Sequence, residues 1–227
     1  MKSICIIPAR GGSKRIKNKN LVKINNKSLL SYSINKALKL NIFERVIVST
    51  DSNLIAKEAL KHGAEVIFRS KKLSGDFVPL KNVINNIIVN NNLLKYDFIV
   101  CLLATSPLLQ IKSLKKAIEK ISSSKKFDML LSVNPINKKY NRSLIKENDY
   151  IRYINQRDEF KRTQDLDDIY IDSGSFFIFR PKKYIKSSSN LLKKTTYFAI
   201  PNKEDFDIDT YDDLMKVKKV MSIKSKI

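Results

Sequence analysis

Ile4-Cys5-Ile6-Ile7-Pro8-Ala9-Arg10-Gly11-Gly12-Ser13-Lys14-Arg15 decides the architecture. Ile4–Pro8 is continuously apolar, as a strand covered on both faces must be. It breaks into a loop whose paired glycines are surrounded by Arg10, Ser13, Lys14, Arg15 and, further on, Lys19. Paired glycines let backbone N–H groups approach an anion closely. In an open α/β sheet, ligands bind at the carboxyl ends of strands, where this loop sits. The spacing is neither that of a Walker loop nor G-x-G-x-x-G. Loop chemistry alone leaves two readings open, a phosphate cradle or a basic surface loop that binds nothing specific.

Beyond the loop, apolar runs alternate with helical periodicity. Helices are predicted over 28–40, 52–62 with Ser52 as N-cap, 80–94 and 113–121. Strands are predicted over 45–50, 65–68, 97–103 and 129–133. Repeated β-α-β order means an α/β fold with a mainly parallel sheet. The stretch from Asn134 to Tyr170 is polar and rich in Tyr, Arg, Lys and Asn, and reads as an inserted excursion with short strands. The pattern resumes with a strand at 175–179, a short helix at 181–186, a strand at 196–200 and a last helix from about Tyr211. Residues 222–227 are expected to fray.

The chain has 227 residues, 43 % apolar and 29 % charged, which are globular proportions. No apolar run reaches the ~20 residues of a membrane span, and the N-terminus lacks a signal-peptide pattern. Cys5 and Cys101 both lie in apolar runs and read as reduced core residues, which places the protein in the cytoplasm. The net charge of +22 raises the question of a polyanion partner. Lysines are scattered along the whole chain, alongside abundant Asn and Ile. A nucleic-acid reader instead gathers Arg and aromatics at its contact surface. Biased composition plus a small anionic substrate is the better account. A basic RNA-binding α/β protein is the rival from a different class.

Glu204-Asp205-Phe206-Asp207-Ile208-Asp209-Thr210-Tyr211-Asp212-Asp213 is the densest acidic segment. In an extended backbone Asp207 and Asp209 share a face. Mg²⁺ often takes one or two carboxylates plus substrate phosphates. Equally, Asp209 or Thr210 serves as N-cap of the last helix, with Asp212 and Asp213 favouring its dipole. The residues alone leave both open. His62, before Gly63 at a helix end, reads as a dipole partner rather than a catalyst.

Ile7-Pro8-Ala9-Arg10-Gly11-Gly12-Ser13-Lys14-Arg15, followed by Lys19-Asn20, resembles the signature of the acylneuraminate (nonulosonic acid) cytidylyltransferases. The similarity continues through Val48-Ser49-Thr50-Asp51, Gly63-Ala64-Glu65, Thr105-Ser106-Pro107-Leu108 and Asp207-Ile208-Asp209-Thr210. It implies a Rossmann-like three-layer α/β/α nucleotide-diphospho-sugar transferase fold. Residues 1–227 would form one domain, with 134–172 as an inserted excursion that serves a homodimer. The implied reaction joins CTP to a nine-carbon α-keto acid sugar with Mg²⁺, giving a CMP-sugar. The nucleotide would meet Ala9, Arg10, Gly11, Gly12, Ser13, Lys14, Lys19, Asn20 and Arg69. Asp207 and Asp209 would hold the metal, and with Arg10 and Lys14 would be catalytic. Asp51 is left as structural or peripheral.

On the sugar side, Arg162-Thr163-Gln164 through Tyr170-Ile171-Asp172-Ser173-Gly174 resembles the family pattern loosely. The sialic acid form usually reads Leu-Gln-Pro-Thr-Ser-Pro where this chain has Leu102-Leu103-Ala104-Thr105-Ser106-Pro107. Leu103 offers no side-chain hydrogen bond. Ala104 and the Asp-small-Gly ending look more like the pseudaminic acid branch, while Ser106 and Ile171 depart from it. Pseudaminic acid is therefore the favoured sugar, ahead of legionaminic and N-acetylneuraminic acid. Arg142 and Arg162 are the candidate partners of its carboxylate. Gln164 and Tyr170 would hydrogen-bond its polar groups, and Leu103, Thr105, Ser173 and Phe176 complete the expected sugar site. Phe176 and Phe177 are either acyl-packing residues or strand-core aromatics.

Overall fold

Each half-buried element follows from its periodicity. The structure is a computed structural model that describes residues 2–224. In chain order it contains β1 (Ser3–Pro8), the short pair β2 (Lys23–Ile24) and β3 (Lys27–Ser28), α1 (Leu29–Leu40), β4 (Arg45–Thr50), α2 (Asn53–Lys61) and β5 (Glu65–Phe68). Then come α3 (Leu80–Asn90), β6 (Phe98–Leu102), α4 (Ile111–Ser122), β7 (Met129–Ile136), β8 (Leu144–Glu147), β9 (Tyr150–Tyr153) and β10 (Ile169–Phe179). The chain closes with α5 (Pro181–Tyr184), β11 (Thr195–Ala199) and α6 (Tyr211–Lys224). Ser28 and Ser52 cap α1 and α2 by accepting from Ser31 N and Ile55 N. The helix expected over 80–94 stops at Asn90, because Asn92 takes a left-handed φ of 53°. Of the six terminal residues expected to fray, 222–224 lie in α6 and the rest lie outside the described residues.

A seven-stranded sheet in the order β11-β7-β10-β6-β1-β4-β5 forms the middle layer. β1 pairs parallel with β4 and β6, β4 with β5, and β7 with β11. β10 runs antiparallel to both β6 and β7. One face carries Cys5, Ile7, Val48, Val100 and Leu102 against α1, α2 and α4. The other carries Ile4, Ile6, Ile99 and Cys101 against α3 and α5. Strand alternation thus puts the two free, buried cysteines on opposite faces, although β1 and β6 are neighbours. A third cluster joins α6 to the first loop through Ile16, Ile24, Leu108, Ile208, Leu214 and Val217.

The expected excursion 134–172 is narrower than its sequence boundaries. β7 continues to Ile136 and β10 begins at Ile169, so both ends are paired strands of the central sheet. Between them lies the β8–β9 hairpin with short 3-10 turns. The strand expected at 175–179 is likewise longer, and its pairing with β7 is interrupted between Asp172 and Phe177. A polar stretch with a bulge hides the two-residue alternation that sequence reading depends on.

Candidate active site

The carboxyl ends of β1 and β6 open into a cleft of about 520 Å³. Arg10, Ser13, Lys14, Arg15, Lys19, Asn20, Leu103, Thr105, Asp207 and Asp209 line it together with Asp76 and Phe77. Sequence-distant motifs meet here because β1 and β6 are adjacent and the chain returns past β6: Ile208 N donates to Thr105 O at 2.9 Å. Arg69, after β5, lines the adjoining hollow with Arg10 and Leu103.

The first loop is anchored at its base and open at its tip. Ala9 N donates to Ser49 O at 2.9 Å, and Gly11 N donates to Asp51 Oδ1 at 2.9 Å. These two N–H groups therefore hold the loop on β4, contrary to the expectation that Ala9 and Gly11 present donors to the nucleotide. Ala9 is also fully buried. Gly11 is small for a packing reason, since a Cβ there would lie 3.0 Å from Ser52 Cβ. Around Gly12 there is open space, which a ligand can use. Buried Asn20 donates its amide to Arg10 O at 3.0 Å, so it orients the loop.

The acidic segment divides between capping the last helix and facing the cleft. Thr210 caps α6: Asp213 N donates to Thr210 Oγ1 at 3.2 Å, and Asp213 Oδ2 accepts from Thr210 N at 2.9 Å. Asp207 and Asp209 instead face the cleft. Asp209 accepts from Lys19 Nζ at 3.0 Å and Arg15 Nη1 at 2.9 Å. Burial pulls its carboxyl up, but the Lys19 hydrogen bond and charge, with Arg15, hold it below its ordinary value. Asp207 goes the other way. Burial raises it, the Thr105 side chain opposes the rise, and the neighbouring charge of Asp209 adds to it. Its Oδ1 is buried without a hydrogen-bond partner. An orphaned carboxylate oxygen beside a second carboxylate fits a divalent cation, since leaving such an atom unpaired is costly. Among the described residues no three His, Cys, Asp or Glu side chains form a metal cage. A cation here would draw its remaining oxygens from substrate.

The expected sugar-side residues divide. Leu103 and Thr105 line the cleft. Ser173 is buried, and its hydroxyl donates to Ser132 Oγ at 2.6 Å. Phe176 is buried at 1 % exposure among the α1 and α4 contacts, so it is a core residue and not a sugar contact. Alternation points its neighbour Phe177 the other way, into a separate cavity of about 270 Å³ with Leu131, Asp172 and Tyr184. Tyr170 packs against Tyr197 in a tilted arrangement with ring centroids 4.7 Å apart. Arg142 Nε donates to Asp158 O at 3.3 Å, and Arg162 pairs with Asp165 at 2.7 Å. Gln164 lies exposed in a 3-10 turn beside that pair. None of Tyr170, Arg142, Arg162 or Gln164 lines this chain's own cleft.

Comparison with known proteins decides which family shares this arrangement. A cytidylyltransferase profile matches residues 4–224. The chain belongs to the cytidylyltransferase family. A pseudaminic acid cytidylyltransferase of Campylobacter jejuni subsp. jejuni serotype O:2 is 38 % identical over 220 residues, covering 94 % of each chain. A CMP-N,N'-diacetyllegionaminic acid synthase of the same organism is 30 % identical, covering 98 % of this chain and 96 % of its own. The solved structure of a CMP:2-keto-3-deoxy-manno-octonic acid synthetase complexed with CTP superposes with a TM-score of 0.73 at 16 % identity, over 99 % of this chain and 100 % of the other. At that identity the likeness speaks to the fold alone. Among the described residues of this cytidylyltransferase, no helix is long and apolar enough to cross a membrane.

Asp76 escaped the sequence reading. It pairs with Arg10 at 2.8 Å and with Lys14 at 2.6 Å, the two cations expected to meet the nucleotide. The Lys14 hydrogen bond leads in holding its carboxyl below the ordinary value. The available signal was a single acid in Ser74-Gly75-Asp76-Phe77, shortly after Lys71-Lys72. Spacing could not tie it to a loop more than sixty residues earlier. One carboxylate thus bridges both cations and offsets part of their charge.

Proposed function

We propose that the enzyme transfers CMP from CTP to the anomeric 2-hydroxyl of pseudaminic acid and releases pyrophosphate. The observation that carries this is the meeting of Arg10, Lys14 and Lys19 with Asp207 and Asp209 in one cleft of a cytidylyltransferase. The choice of sugar is supported by the 38 % identical Campylobacter relative and by Leu103 and Ala104, which resemble that branch more than the sialic acid one.

The chain's residues take the following parts. Arg10 and Lys14 exchange Asp76 for the triphosphate and neutralise the departing pyrophosphate. Ser13, Lys19, Asn20 and Arg69 complete the nucleotide site. Asp207 and Asp209 hold Mg²⁺, which when bound supplies charge neutralisation and a lowered pKa for the attacking hydroxyl. Lys19 keeps Asp209 ionised and so available as a ligand. Leu103 gives the sugar an apolar neighbour, and Phe177 offers its cavity to an acyl methyl.

The hairpin β8–β9 and its flanks expose Tyr150, Ile151, Ile154 and Phe160, the last at 91 %. Apolar side chains without a core to enter support a homodimer, in which Arg142, Arg162 and Gln164 reach the partner's cleft. Two buried free thiols suit a cytoplasmic setting.

The test is pyrophosphate release from CTP and Mg²⁺ with pseudaminic, legionaminic and N-acetylneuraminic acids in parallel. Preferred release with pseudaminic acid is expected. Release with another sugar alone overturns the substrate, and no release from folded enzyme with any of them overturns the reaction.

A further inference from the structure

We propose that Ser132 is a positioning residue for Asp207, acting through the bulge in β10. The proposal rests on the reading that Asp207 holds a divalent cation.

β7 and β10 pair at Val133↔Asp172 and again at Leu131↔Phe177. Ser132 alone therefore stands opposite residues 173–176. Such a bulge deprives the strand of ladder hydrogen bonds. The Ser132 hydroxyl replaces them. It donates to Phe176 O at 2.5 Å and accepts from Phe176 N at 3.0 Å and Ser173 Oγ at 2.6 Å. That uses the one donor and both acceptor positions a hydroxyl has. Ser132 is fully buried, so no solvent substitutes for it.

The bulge sets Gly174 against the carboxylate. Gly174 has φ +62°, and a Cβ on it would lie 2.8 Å from Asp207 Oδ2 and 3.3 Å from Asp207 Cγ. Only a residue without a side chain lets the backbone come so close. Asp207 Oδ1 meanwhile has no hydrogen-bond partner. Besides the Thr105 side chain, what orients this carboxylate is the surface it leans on, and that surface is the bulge. Asp209 does not share the dependence, because Lys19 and Arg15 grip it directly.

The test measures Mn²⁺ binding by loss of the free-ion electron paramagnetic resonance signal, with CTP present, beside CTP binding by calorimetry. Ser132→Ala is expected to weaken Mn²⁺ binding about tenfold, the lower end of what residues orienting a metal ligand contribute. Ser132→Thr, which keeps the hydroxyl, is expected to restore it. Metal-free CTP binding stays at the wild-type value in both. Gly174→Ala weakens Mn²⁺ binding with the serine network intact, and serves alone if Ser132→Ala does not fold. Its combination with Ser132→Ala is no worse than Gly174→Ala. Mn²⁺ binding that Asp207→Asn weakens and Ser132→Ala or Gly174→Ala leaves unchanged overturns the proposal. Mn²⁺ binding that Asp207→Asn leaves unchanged overturns the metal reading, and the proposal with it.

Discussion

Lys19 Nζ bonds Asp209 Oδ1 at 3.0 Å and, from the same nitrogen, the Ile208 carbonyl at 2.9 Å. One side chain therefore joins the glycine loop to the acidic segment nearly the whole chain away. Lys19 is well shielded from solvent, with 17 % of its side chain accessible against 52 % for Asp209. The contact ties the two segments together across the cleft and, with Arg15, holds the Asp209 carboxyl below its ordinary value.

Asp209→Asn keeps the Lys19 contact through its amide oxygen but removes the charge. Turnover is expected to fall about 10²–10³-fold, the scale of losing one charge-stabilising group at a reacting centre. Far-ultraviolet circular dichroism and Tm should stay near wild type. Near-normal turnover removes Asp209 from the mechanism.

Asp207 makes the opposite demand on stability. Its folded-state pKa lies above its ordinary value, burial being the main cause. The folded chain therefore loses stability as pH climbs from the ordinary carboxylate range through the raised value, and does not regain it beyond. Asp207→Asn removes that cost. Near neutral pH, without metal, its Tm should exceed that of wild type. The gap should close on acidification. A lower Tm in metal-free Asp207→Asn contradicts this.

Phe176 and Phe177 should separate cleanly. Phe176→Ala empties a fully packed site and is expected to lose about 3–5 kcal/mol in urea unfolding. Phe177→Ala, at the wall of a cavity, should cost less stability but raise KM for the sugar while KM for CTP stays put. Equal effects of both on the sugar KM speak against the cavity as a sugar contact.

Leu103→Gln places a hydrogen-bonding side chain where the pocket now offers none. The ratio of kcat/KM for N-acetylneuraminic over pseudaminic acid should rise about fivefold, near the ~1 kcal/mol of one hydrogen bond. An unchanged ratio removes position 103 from specificity.

Phe160→Asp combined with Tyr150→Asp puts charge on the exposed hairpin. Light scattering coupled to size exclusion should report a monomer for the variant and a dimer for wild type. Activity should drop at least tenfold, since each cleft would lose the partner's Arg142 and Arg162, and an electrostatic clamp of this kind contributes on that scale. A monomeric wild type overturns the assignment.

Much of the fold was legible locally. The apolar runs at 45–50 and 65–68 coincide with β4 and β5, and Ser28 and Ser52 cap the helices that follow them. These signals are short-range, because burial on both faces and capping act within a turn or a strand. The extent of β10 was not legible. Its bulge breaks the alternation, and its polar residues are satisfied by Ser132 and Ser106, which are far away in sequence.

By itself the sequence determined the alternating α/β order, the loop chemistry at Arg10–Lys19 and the presence of two carboxylates in Asp207-Ile208-Asp209. Those follow from side-chain type and near-neighbour spacing. Only the tertiary structure decided that Ala9 and Gly11 anchor the loop, that Phe176 turns into the core while Phe177 lines a cavity, and that Asp76 sits on Arg10 and Lys14. It also separated the two carboxylates, leaving Asp207 half-buried with one oxygen short of a partner while Asp209 is held by two cations. Burial and pairing are sums over neighbours that strand order brings together, and strand order is a property of the whole chain.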